Sequence, residues 1–99
     1  LREPSATPRL LARLAEDVKP AVRALSAEAL AKIGDAEGVK AVIAALRGDA
    51  NAEVRAECAR ALGHVKSEAT VAALKAAAGE PDPVGAAARE ALAAPAKAP

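Results

Sequence analysis

Asp49-Ala50-Asn51-Ala52-Glu53-Val54-Arg55-Ala56-Glu57-Cys58-Ala59-Arg60-Ala61-Leu62-Gly63-His64-Val65 reads as a turn followed by one amphipathic helix. An earlier copy spans 17–33. Val22-Arg23-Ala24 falls on Val54-Arg55-Ala56, Ser26 on Cys58, Ala29-Leu30 on Ala61-Leu62 and Ile33 on Val65, at an offset of 32 residues. A degraded third copy begins at Val84, 30 residues after Val54, where Ala88 matches Cys58 and Ala91-Leu92 match Ala61-Leu62. A repeat period near thirty with a helical pattern is the mark of a solenoid, in which each unit buries its apolar face against the next.

A second helical segment lies between the copies. Val39, Val42, Ile43 and Leu46 recur at helix spacing and share a face, and Val71 and Leu74 hold the matching places one unit later. Leu10, Leu11 and Leu14 match Val42, Ile43 and Leu46 one unit earlier. Each unit is therefore a helix A, a turn and a helix B. The expected fold is all-α, an α-α superhelix of about six helices in antiparallel A/B pairs, at 8–16, 20–33, 36–47, 52–65, 68–78 and 83–94. An irregular lead-in at 1–7 and a flexible tail at 95–99 flank the repeat domain, 8–94. Pro20 suits the first turn of a helix, Gly34 its end, and Asp35, Asn51, Ser67 and Asp82 the caps of the helices that follow them.

Asp17…Val22-Arg23…Ala29-Leu30-Ala31-Lys32-Ile33-Gly34-Asp35 and Asp49…Val54-Arg55…Ala61-Leu62-Gly63 together resemble HEAT repeats, in particular the short variety of phycobilisome-lyase-type proteins. The resemblance covers roughly residues 8–94. It implies that the B helices line a concave side. It also implies a structural pairing between units by Asp17, Arg23, Asp49 and Arg55, with each Asp in an inter-unit turn and each Arg in the first turn of helix A. In the third copy Gly79 stands for the Asp and Gly85 for the Arg, as expected of a terminal unit.

Composition narrows the function. The 99 residues suit one domain; aromatics and Met are absent, and roughly a third of the chain is Ala. Ala favours helices but buries little surface, so the helices must approach closely. Net charge is +1, with both signs mixed, which argues against a general nucleic-acid or anionic-membrane binder. No aromatic side chain is present to stack on a base. One Cys gives neither an intramolecular disulfide nor a Cys-rich metal site. No signal sequence or apolar run of membrane length is present, and a cytoplasmic protein is expected.

No catalytic, cofactor or metal constellation stands out, so the chain reads as a non-enzyme without a cofactor. Cys58 shares its place with Ser26 and Ala88, a position that wants a small side chain, and reads as a buried inert thiol. His64 matches Lys32 near a helix C-terminus, where a cation is favoured. Glu28–Lys32 and Glu57–Arg60 are i,i+4 and i,i+3 pairs on solvated faces. The B helices are expected to expose Arg9 and Arg13, then Lys40, Ala44 and Arg47, then Thr70 and Lys75. That gives an Ala-smooth floor with a basic rim, and a protein-binding scaffold with an acidic partner contacting Arg9, Arg13, Lys40, Arg47 and Lys75. Two alternatives follow from the resemblance: a bilin lyase-type subunit handling a tetrapyrrole, and nucleic-acid binding along the basic rim. Exposure of Leu10, Leu11 or Leu92 on the end helices would favour self-association over a monomer.

Overall fold

The computed structural model describes residues 6–94. Six helices, and no strand among the described residues, run α1 (Ala6–Glu16), α2 (Pro20–Ile33), α3 (Ala36–Gly48), α4 (Ala52–Leu62), α5 (Glu68–Ala77) and α6 (Val84–Ala93). They form two layers. The A helices α2, α4 and α6 stack on one another, and each packs on the B helix before it, α1, α3 or α5; the A helices meet one another more extensively than the B helices do.

The turns follow from local chemistry. Pro20 occupies the first turn of α2, where its missing N–H leaves no hydrogen bond unmade. Gly34 ends that helix at φ 78, a left-handed conformation that a Cβ disfavours, and its N–H donates to the Leu30 carbonyl. Asn51 caps α4 by accepting from the N–H groups of Glu53 at 2.8 Å and Val54 at 3.1 Å. Ser67 and Thr70 form a reciprocal capping box on α5.

Two expected caps act otherwise. Asp35 stands before α3 without a side-chain cap bond, and its carboxylate instead accepts from the Thr7 hydroxyl at 3.0 Å, tying the start of α1 to the start of α3. Asp82 does not cap α6: the helix starts one residue later than expected, with Pro83 in the cap position, and the Asp82 carboxylate pairs with Arg89 at 3.2 Å. The helix expected to run to Val65 stops at Leu62, since His64 and Val65 donate three residues back, to Ala61 and Leu62, and tighten the chain into turns. Ala6 and Thr7, expected in an irregular lead-in, are helical; the rest of that lead-in, and the tail at 95–99, lie outside the described residues.

Leu30, Leu46, Leu62, Leu74, Val42, Val54 and Val84 are the largest fully buried side chains. The A layer is sealed by smaller ones. Ser26, Cys58 and Ala88, one column of the repeat, are all buried. A Cβ added at Gly63 would lie 2.9 Å from the Ala91 Cβ, so α4 and α6 approach as closely as they do only because Gly63 has none. Thr70, expected on the exposed B surface, is buried, as is Gly38 at the same place one unit earlier, and its hydroxyl donates to the Val65 carbonyl.

Candidate interaction surface

The units are joined by one fork. Arg23 on α2 donates from Nε to Asp49 Oδ2 at 2.8 Å and from Nη2 to Asp49 Oδ1 at 3.0 Å, while its Nη1 donates to the Asp17 carbonyl at 2.8 Å. The Asp49 side chain is only 6% exposed and also accepts from the Asn51 N–H at 2.9 Å. The bond from Arg23 holds its carboxyl below the usual carboxylate range; burial opposes this, and the Asn51 N–H and the charges of Arg23 and Arg55 add to the lowering. The bond to Asp49 in turn raises the Arg23 guanidinium above its ordinary value, against its own desolvation. Two of the four expected ladder residues therefore meet across units.

The other two stand at its ends. Arg55 reaches back to the Asp49 carbonyl at 2.5 Å, as Arg23 does to Asp17, but the next unit offers it no carboxylate. α5 ends early, at Ala77, so the turn before α6 runs 78–83 and is longer than its counterparts at 17–19 and 49–51, and a Cβ at Gly85 would lie 2.0 Å from the Glu80 carbonyl oxygen. Only glycine fits the Arg position there. Arg89, one residue past the Cys58 column, holds this turn by donating to the Ala78 carbonyl at 3.0 Å and to Asp82. Arg89 has no counterpart in the other copies, since Ala27 and Ala59 fill its place, so repeat comparison carried no signal for it. Lys66, which bonds the Ala91 carbonyl at 3.0 Å near the end of α6, was missed for the same reason.

The two layers differ in how their surface charges are paired. On the A face Lys32 lies 3.6 Å from Glu28, and Arg60 bridges Glu57 at 3.0 Å and Glu90 at 3.5 Å, linking α4 to α6. His64 is exposed beside these groups, in a groove of roughly 240 Å³ between α2 and α4. Cys58 is buried and faces away from it, and burial, with the charges of Asp49 and Glu57 adding, pushes its thiol up to about 12. No group of His, Cys, Asp and Glu among the described residues is placed to hold a metal.

On the B face Arg9, Arg13, Lys40, Arg47 and Lys75 are all exposed, and none makes an ion pair or side-chain hydrogen bond with the described residues. They do not form one cluster. Ala41 and Ala45 line the groove toward α1, and Arg9 and Arg13 fill the same register on α1, so they point past the N-terminal edge of the layer. Lys40 and Arg47 ride the exposed back of α3. Leu11 lines the same groove and shares its register with Lys75, which places Lys75 at the opposite edge. Between edge and ridge, α1 and α3 enclose a groove of roughly 340 Å³ floored by Ala15, Ala41, Ala44 and Ala45.

Two stacked layers of antiparallel helix pairs, joined through small residues and an Arg–Asp fork, define an α-solenoid. The family model for HEAT repeats matches residues 7–93, and the chain belongs to that family, whose members in general are non-catalytic protein-interaction scaffolds. No curated protein matches the chain. No helix among the described residues is long and apolar enough to cross a membrane.

Proposed function

We propose that the chain is a non-catalytic adaptor that binds an acidic segment of another protein on its B-helix face. The observation that carries this reading is the contrast between the layers. The A face neutralises its cations internally, through Glu28–Lys32 and Glu57–Arg60–Glu90. The B face leaves Arg9, Arg13, Lys40, Arg47 and Lys75 without an ion pair among the described residues. Cations spread across an Ala-rich face favour a carboxylate-bearing partner, steering its approach and fixing its orientation. The floor adds contact area but no large pocket, which suits an extended or helical segment lying along α3.

Immobilised wild-type chain and a variant carrying R9E, R13E, K40E, R47E and K75E are exposed to a lysate of the source organism at low and at moderate salt. The wild type retains a partner whose binding weakens as salt rises, and the variant loses it. The same set of proteins retained by both removes the B face from consideration.

A further inference from the structure

The polar fork of the first interface is only half repeated at the second. Arg23 and Arg55 hold the same place on α2 and α4, and both are half-buried. Each sends Nη1 back to a carbonyl of its own turn, Arg23 to Asp17 at 2.8 Å and Arg55 to Asp49 at 2.5 Å. Such a bond holds the planar guanidinium in place, so that its Nε and Nη2 edge is presented already oriented. Arg23 sets that edge on the two carboxylate oxygens of Asp49. Arg55 sets it on none: among the described residues no hydrogen bond or ion pair reaches its Nε or Nη2.

The following turn explains the difference. Gly79 stands in the sequence where Asp49 supplies the carboxylate. It is exposed, and a Cβ added there would meet only the Ala76 carbonyl oxygen, at 3.9 Å, so the place is open. Neither carboxylate of this turn takes over. Asp82 pairs with Arg89, and Glu80 is exposed without an ion pair among the described residues. Arg89 also donates to the Ala78 carbonyl, beside Gly79, which brings a second guanidinium to the turn. Asp49 has similar company at the first interface: Arg23 holds it by hydrogen bonds, and the charge of Arg55 also favours its ionised form. The second interface thus keeps the cations of the first and lacks its anion.

We infer that Arg55, beside Gly79, is a binding site for one carboxylate supplied from outside the chain. The fork selects a planar, two-oxygen anion over chloride, since its parallel N–H groups are both used only by paired oxygens. A free small carboxylate and an Asp or Glu side chain of another protein share this chemistry. The site lies at the turn edge of the stack and uses none of the B-face cations, so it stands or falls apart from the B-face reading.

The arginine Nε–Hε signals of the isotope-labelled chain are followed while sodium acetate is added, with sodium chloride at equal ionic strength as the control. With acetate the Arg55 signal shifts and saturates, at least about threefold further than that of the exposed Arg47, while that of Arg23, already bonded to Asp49, stays in place. The Gly79 amide moves with it. R55K, which keeps the charge but not the fork, reduces the Gly79 shift at least about threefold. G79D, which puts a carboxylate of the chain in that place, suppresses the acetate response of Arg55. A capped peptide with a single Asp separates the two sources. Saturation at a lower concentration than acetate assigns a protein side chain, and saturation at an equal or higher one a free carboxylate. An Arg55 signal that follows acetate no further than Arg47, or that responds unchanged in G79D, overturns the proposal. So does an E80Q variant whose Arg55 signal moves with no acetate present, because Glu80 then already fills the fork in solution.

Discussion

At the scale of the residue, Asp49 carries the most. It closes the Arg23 fork, accepts from its own turn at Asn51, and presents its carbonyl to Arg55. Its carboxyl is held below its ordinary value of 3.8. A group lowered on folding stabilises the native state fully above its unfolded pKa, and that contribution is lost as pH falls through the folded value. D49N keeps the size of the side chain but removes the charge-assisted bonds. We expect it to cost about 1–3 kcal/mol at neutral pH. Its urea midpoint should also vary less than the wild type's below about pH 4, since the group that titrates there is gone. Parallel acid limbs for the two proteins would show that the fork contributes nothing across the units.

At the scale of the element, helix spacing decides what each position tolerates. Gly63 lies against Ala91, and the added methyl of G63A, meeting the Ala91 Cβ at 2.9 Å and Cα at 3.1 Å, must push α4 and α6 apart. We expect a loss of about 1–3 kcal/mol from overpacking. A91G in the same chain should return part of it, because the crowded atom is then absent. A double variant no more stable than G63A alone, by urea denaturation, would place the strain elsewhere. The helix ends show where sequence reasoning works. Asn51 and Ser67 cap as their residue types suggest, since each needs only its own next turn. Asp35 and Asp82 stand at helix starts too, but Thr7, far off in the chain, holds the one, and Arg89, two turns on, holds the other.

At the scale of the whole molecule, α4 is the centre. It packs on α2, α3 and α6 and holds the buried Val54, Ala56, Cys58, Ala59 and Leu62, whereas α1 lies at an edge of the stack. In a stack held by nearest-neighbour contacts the ends open first. Amide exchange followed by mass spectrometry should be slowest in α4 and fastest in α1. Uniform protection from α1 to α6 would mean that the layers unfold as one unit.

The repeat, its all-α class and its A/B order were legible in the sequence, because a helix of period 3.6 that must bury one stripe writes that stripe into the chain, three times over. The column of Ser26, Cys58 and Ala88 and the Asp and Arg positions were legible for the same reason: recurrence exposes a shared constraint. Only the tertiary structure decided that Arg23 reaches Asp49 while Arg55 reaches only a carbonyl, since that depends on how the longer turn at 78–83 is built at the far end. It alone buried Thr70 and spread the B-face cations from edge to ridge to edge. It alone left Val22 and Ala29 half-exposed where Val54 and Ala61 are buried, because exposure depends on which neighbour is present, and a single helix cannot record in its own sequence whether another covers it.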